Sequence, residues 1–190
     1  MSVLVLSKKF NPIDLSFVID TDLLYLDVKE ADEKYFFCKG HKGRLTIYVP
    51  CGTRFDAADF QPWFRTVVRE ALRREAKLIF PERLQMWSVR TGLKYSRLAI
   101  KSTSSKWGSY SSLGNVNLSL SLLLLPSQYV DYTMCHELCH SREMNHGKRF
   151  WSLLDSCIGG SARQLGREMN KMVRNWYESA DPRYLLVSNK

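Results

Sequence analysis

The sequence predicts an α+β protein, and three observations carry the prediction. The first fifty residues are short β-branched and aromatic runs separated by turn residues. After Ala57 the apolar spacing switches to a helical period, and the alternating stretch 115–121 comes just before a histidine-bearing helix. At 190 residues, 45% of them hydrophobic, the chain can bury a sizeable core. The break at Pro50-Cys51-Gly52-Thr53 separates a β-rich region, residues 1–52, from residues 53–190, although the two can also form one continuous domain.

Taken in order, strands are expected at Val3–Leu6, Phe17–Ile19, Leu23–Val28, Tyr35–Phe37 and Leu45–Val49. The turn-like segments between them, such as Asn11-Pro12 and Lys39–Gly43, suggest an antiparallel meander. A helix follows from Ala57 to Phe80. It places Phe60, Trp63, Phe64, Val67, Val68, Ala71, Leu72, Ala76 and Ile79 on one face. Arg65, Arg69 and Arg73 form a basic stripe opposite, which a solvated face explains more simply than a phosphate-binding one.

Leu84–Val89, Leu98–Lys101 and Asn115–Ser121 read as further strands. The loop between the last two, residues 102–114, is rich in hydroxyls and carries Lys106, Trp107 and Tyr110. An ordinary hairpin connection has this composition, but so do loops that present binding groups. Lys106 and Trp107, with Asn117 on the next strand, are the candidate substrate contacts.

Pro126-Ser127 opens the next helix, expected to run to about Arg142. It carries His136-Glu137-Leu138-Cys139-His140, followed by His146, so three of the four histidines fall within eleven residues. One helical turn separates His136 from His140, and both imidazoles therefore leave the same face and can hold one ion. Glu137 lies about 100° round the helix, within reach of a water on that ion. A zinc site with an open position lowers the pKa of its water to about 7, and a neighbouring carboxylate can take the proton. These residue types at this spacing point to metal-dependent hydrolysis. The third ligand is left open by spacing alone: His146 is favoured, with Glu143, Glu168 and Glu178 as alternatives. Cys135 and Cys139 share the helix but not the histidine face, and packing beneath the site accounts for them. Helices are expected over Lys148–Ile158 and Ala162–Ser179, divided by Gly159-Gly160-Ser161, with Tyr184–Val187 available to dock on the body.

The formal charge of +9 suits an acidic partner such as nucleic acid, a nucleotide or an anionic surface, yet no RNP-like, phosphate-loop or zinc-finger motif accompanies it. No apolar run approaches a membrane span, and the start lacks a signal-peptide pattern. Five cysteines, an odd number at irregular spacing, argue against a disulfide framework and make a reducing cytoplasm the expected location.

Lys106-Trp107-Gly108-Ser109, Gly114–Leu118, Leu125-Pro126, Asp131-Tyr132, the His-Glu-Leu-Cys-His string, His146-Gly147 and Phe150-Trp151 together resemble the YgjP-like metallopeptidase family, which is related to SprT-like proteins and to zincins. The resemblance covers essentially the whole chain. It implies a zincin-like α+β fold, with a small mixed sheet packed on the histidine helix and residues 115–121 as an edge strand that adds to an extended substrate. It also implies Zn²⁺ held by His136, His140 and His146, with Glu137 as general base. Tyr110 stands where the family usually has cysteine, and Ser141 where it often has an apolar residue. A zinc-dependent peptidase is the leading expectation. A nucleoside triphosphate (UTP) pyrophosphatase and a DNA-associated protease of SprT type are its competitors, whereas a purely structural zinc needs no base beside it.

Overall fold

The strands that bury most apolar surface take the centre of the first sheet. The computed structural model of the protein describes residues 11–57, 59–103 and 106–187, so the expected strand at Val3–Leu6 lies outside the described residues. β1 (Val18–Asp20), β2 (Tyr25–Ala31), β3 (Phe37–His41) and β4 (Arg44–Pro50) form one sheet in the order β1-β2-β4-β3. β2 buries Leu26 and Val28, and β4 buries Leu45, Ile47 and Val49. These two pair in parallel, while β1 and β3 pair antiparallel at the edges. The sheet is therefore mixed, which corrects the expected meander. β3 has no fully buried residue, so it takes an edge and leaves the place beside β2 to β4.

α1 (Phe60–Thr91) overruns its expected end at Phe80 and absorbs Leu84–Val89, which is helix and not strand. The apolar period simply continues, with Ala76, Ile79, Phe80, Leu84 and Trp87 all buried. Pro81 interrupts the helix on its exposed side, where solvent can satisfy the freed backbone group. Trp63, expected in the core, is 45% exposed and stacks edge-on against Phe36 instead. The basic stripe is partly engaged, since Arg69 donates to the Leu185 carbonyl at 2.6 Å.

The second sheet holds the strands nearest the histidines. β5 (Arg97–Lys101), β6 (Gly108–Tyr110) and β7 (Asn115–Ser119) lie in the order β5-β7-β6, with β7 parallel to β5 and antiparallel to β6. β7 is thus central, which overturns its expected place at the edge. The outer strand on the histidine side is β6, drawn from the hydroxyl-rich segment read as loop. β7 ends at Ser119, and a buried 3₁₀ turn, Leu120–Leu124, leads into α2 (Ser127–Cys139). α3 (Lys148–Ile158), α4 (Ala162–Glu178) and the short α5 (Tyr184–Val187) complete the chain. α2 is wedged between β6 and the helices α1, α3 and α4. One hydrophobic core runs from Ile13 to Val187. No helix among the described residues is long and apolar enough to cross a membrane.

A candidate three-histidine metal centre

The site begins where α2 stops. The N–H groups of His140, Ser141 and Arg142 bond to the carbonyls of Glu137, Leu138 and Cys139, each three residues back. This tightens the final turn and ends the helix short of the expected Arg142. The following segment doubles back and brings His146 Nε2 to 2.9 Å from His136 Nε2. The ligand nitrogens of His136, His140 and His146 all lie within 4.8 Å of one another, in the one such cluster among the described residues. Glu143, Glu168 and Glu178 do not belong to it. The main-chain carbonyl of Glu143 instead accepts a hydrogen bond from His140 Nδ1 at 3.1 Å, which turns Nε2 of that ring toward its neighbours. His146 is fixed by the indole of Trp151, which donates to its carbonyl at 3.0 Å.

Phe150 forms the floor. It is fully buried, and its ring centroid lies 4.8, 4.7 and 4.5 Å from those of His136, His140 and His146 respectively. This buried aromatic floor helps to shut water away from the rings of His136 and His140. Burial pushes the pKa of His136 down to about 3, and the other two histidines add to the effect; burial also lowers His140. Neutral rings offer lone pairs, the form a metal needs. His136 Nδ1 is buried without a hydrogen-bond partner among the described residues, so its ring is oriented by packing and not by an acceptor. Three converging imidazole nitrogens fit a borderline-soft divalent cation, and each would contribute one ligand.

Glu137 is buried beside them. Burial raises its carboxyl to about 8, offset in part by the charge of Lys106. Space for it is made by Gly108 on β6: a Cβ added there would sit 2.7 Å from Glu137 Cγ and Oε1. Only glycine lets the strand and the carboxylate approach so closely. Glu137, His136, Lys106, Trp107, Gly108 and Tyr132 line a cleft of about 270 Å³. The structure therefore brings Lys106 and Trp107 to the cleft lined by His136 and Glu137. Asn117 lies elsewhere: on β7 it alternates with the buried Val116 and Leu118, and its amide donates to Ser109 Oγ at 3.0 Å. Tyr110, in place of the family cysteine, points away as well and reaches the Lys94 carbonyl at 3.3 Å. Cys135 and Cys139 are fully buried, and burial drives the Cys135 thiol well above its ordinary value.

Three residues of the site were not legible as such. Gly108 reads as a turn glycine, Phe150 as one more apolar position on α3, and Tyr132 as an ordinary helix residue. Only the fourth and fifth places of Phe150 and Trp151 after His146 hinted that α3 turns one face to the histidines.

Fold and cluster together define an α+β protein with a three-histidine candidate metal centre on a helix end. Residues 39–172 match the model of the YgjP-like family, described as a YgjP-like metallopeptidase domain, and the chain belongs to that family. No curated protein and no solved structure matches the chain.

Proposed function

We propose that the chain is a zinc-dependent peptidase of zincin-like build that hydrolyses extended peptides. The observation that carries this reading is the convergence of His136, His140 and His146 on one another, with His136 and the buried Glu137 lining one cleft. Zinc is favoured because an all-imidazole set suits it better than it suits harder cations. When bound, the cation supplies a Lewis acid and brings the pKa of water at the site to about 7. Glu137 takes the proton of the attacking water on its carboxylate and returns it to the departing amine nitrogen. Its raised proton affinity, near neutrality, suits both transfers. Lys106, the cation nearest in influence, keeps the charged form of Glu137 accessible. Trp107 and Tyr132 wall the cleft and restrict water, and the substrate backbone lies along the outer edge of β6, the role the sequence reading gave to β7.

The test compares metal-loaded wild type with Glu137→Gln on a peptide mixture, following amine release and metal content. Loss of the base lowers turnover by about 10²–10⁴-fold while the zinc content stays the same. Full activity in the variant removes Glu137 from the mechanism. Pyrophosphate release from nucleoside triphosphates, with no amine from any peptide, replaces the peptidase reading with nucleotide hydrolysis.

A further inference from the structure

We propose that Arg163, in the first turn of α4, is a specificity residue of the site and that its guanidinium receives a carboxylate of the peptide substrate. The guanidinium stands over Trp151, with Cζ 4.4 Å from the ring centroid. Trp151 is itself tied to the histidines: its indole donates to the His146 carbonyl at 3.0 Å, and its ring centroid lies 6.0 Å from that of His146 and 6.3 Å from that of His136. Arg163 is thus one side chain removed from the cluster. It is exposed and forms no ion pair among the described residues. The carboxylate that reaches this helix end, Asp155, accepts instead from the main-chain N–H of Ala162 at 2.8 Å. A cation in the first turn sits against the positive end of the helix dipole, so α4 itself gains nothing from the charge. A guanidinium seated on a ring face keeps N–H groups that a carboxylate accepts in pairs.

Both α4 and β6 wall the cleft. Gly166 and Asn170 line it from the helix, Trp107 and Gly108 from the strand side, and His136 and Glu137 of α2 complete it. The hydroxyl of Tyr132 is packed against Gly166, where an added Cβ would lie 2.7 Å from it. Tyr132 and Trp151 are both neighbours of the His136 ring, at 5.9 and 6.3 Å between centroids. One of these rings meets α4 at Gly166 and the other at Arg163. Residues three apart on a helix share a face, so Arg163 stands one turn beyond Gly166 on the side of α4 that borders the site. A peptide laid along the outer edge of β6 lies in this cleft, and the part of it that continues past His136 comes to Trp151 and Arg163. A carboxylate there, from an acidic side chain or from the chain terminus, meets the guanidinium. The choice of a carboxylate over a phosphate rests on the peptidase reading.

Binding separates this claim from turnover. One carboxylate at a time is added to a tryptophan-free, amidated hexapeptide, either as Glu at each position in turn or as the free C-terminus. Each peptide is titrated into metal-loaded Glu137→Gln protein, with intrinsic tryptophan fluorescence as the readout. One of these carboxylates is expected to tighten binding about fivefold, the upper range of an exposed ion pair, and the gain shrinks with added salt. Which peptide gains tells a side chain from a chain terminus. Adding Arg163→Gln removes the gain. Arg163→Lys, which keeps the charge but not the paired donors, keeps part of it, and the zinc content is the same in both variants. No gain from any carboxylate overturns the assignment, even where wild type releases amine. So does a gain that survives in Arg163→Gln, or weaker binding of a nucleoside triphosphate to that variant while no peptide shows a gain. If the gain follows Arg163 but wild type releases no amine from any peptide, the carboxylate site stands and the peptidase reading falls.

Discussion

Glu137 and His136 are neighbours on one helix, yet burial moves their proton affinities in opposite directions. That gives the ion-free protein a distinctive pH response. Glu137 is raised from an ordinary value of 4.5 to about 8, so between these values the folded chain holds a proton that the unfolded chain has released, and stability falls as pH rises. His136 is lowered from 6.5 to about 3, so within that window the unfolded chain binds the extra proton and stability rises with pH. The two effects oppose each other up to pH 6.5, above which only Glu137 is still titrating. With metal chelated, wild type is expected to lose about 1.5 kcal/mol between pH 6.5 and 8 relative to Glu137→Gln. Denaturant titrations of both proteins at the two pH values measure this difference. Parallel curves would show that the carboxyl is not held in its neutral form.

At the scale of elements, the site depends on how α2 is clamped to α1. Arg83 donates to Asp131 from Nε at 2.5 Å and from Nη2 at 2.8 Å, and the Trp87 indole donates to the same carboxylate at 2.7 Å. Asp131 lies on α2 only five residues before His136. Asp131→Ala strands a partly buried guanidinium and an indole N–H, at a cost of about 3 kcal/mol. Metal affinity is expected to fall with it, because the helix carrying two of the histidines loses its fixed seat. Thermal unfolding and a competitive chelator titration test both parts, and unchanged affinity in a destabilised variant would separate the clamp from the site. This clamp also shows where sequence reading stopped. It needs α1 to continue past Pro81, and a proline followed by Leu84–Val89 reads locally as a helix end and a strand. Burial of Leu84 and Trp87 overrides that local preference. The histidine helix itself was legible, because the spacing of His136 and His140 is a property of helical geometry alone. The return of His146 was legible only as a favoured option, since it depends on a 3₁₀ turn whose bonds involve no diagnostic side chain.

For the molecule as a whole, the sequence marks the α+β composition but not the strand order. Pairing in parallel or antiparallel depends on which strands bury most, a comparison between distant segments such as β2 and β4. The finished fold divides its stability unevenly. Both sheets, α1 and α2 share one continuous core, whereas residues 141–149, which present His146, contain no fully buried residue. An ion held by His136, His140 and His146 therefore joins a well-packed body to a thinly anchored turn. A ligand that binds only the folded state at a thousandfold excess over its Kd adds about 4 kcal/mol. For a chain of this size that is a rise in Tm on the order of 10 °C. Chelation of the zinc-loaded protein should lower Tm by about this amount. It should also accelerate amide exchange around His140–Gly147 while leaving exchange in β2, β4 and α1 little changed. His146→Ala is expected to reproduce the local exchange pattern without chelator, because it removes the one ligand that the turn contributes. If chelation instead loosens the whole core evenly, the ion is supporting the fold from its centre. If it changes neither Tm nor exchange, the three imidazoles do not hold a metal in solution.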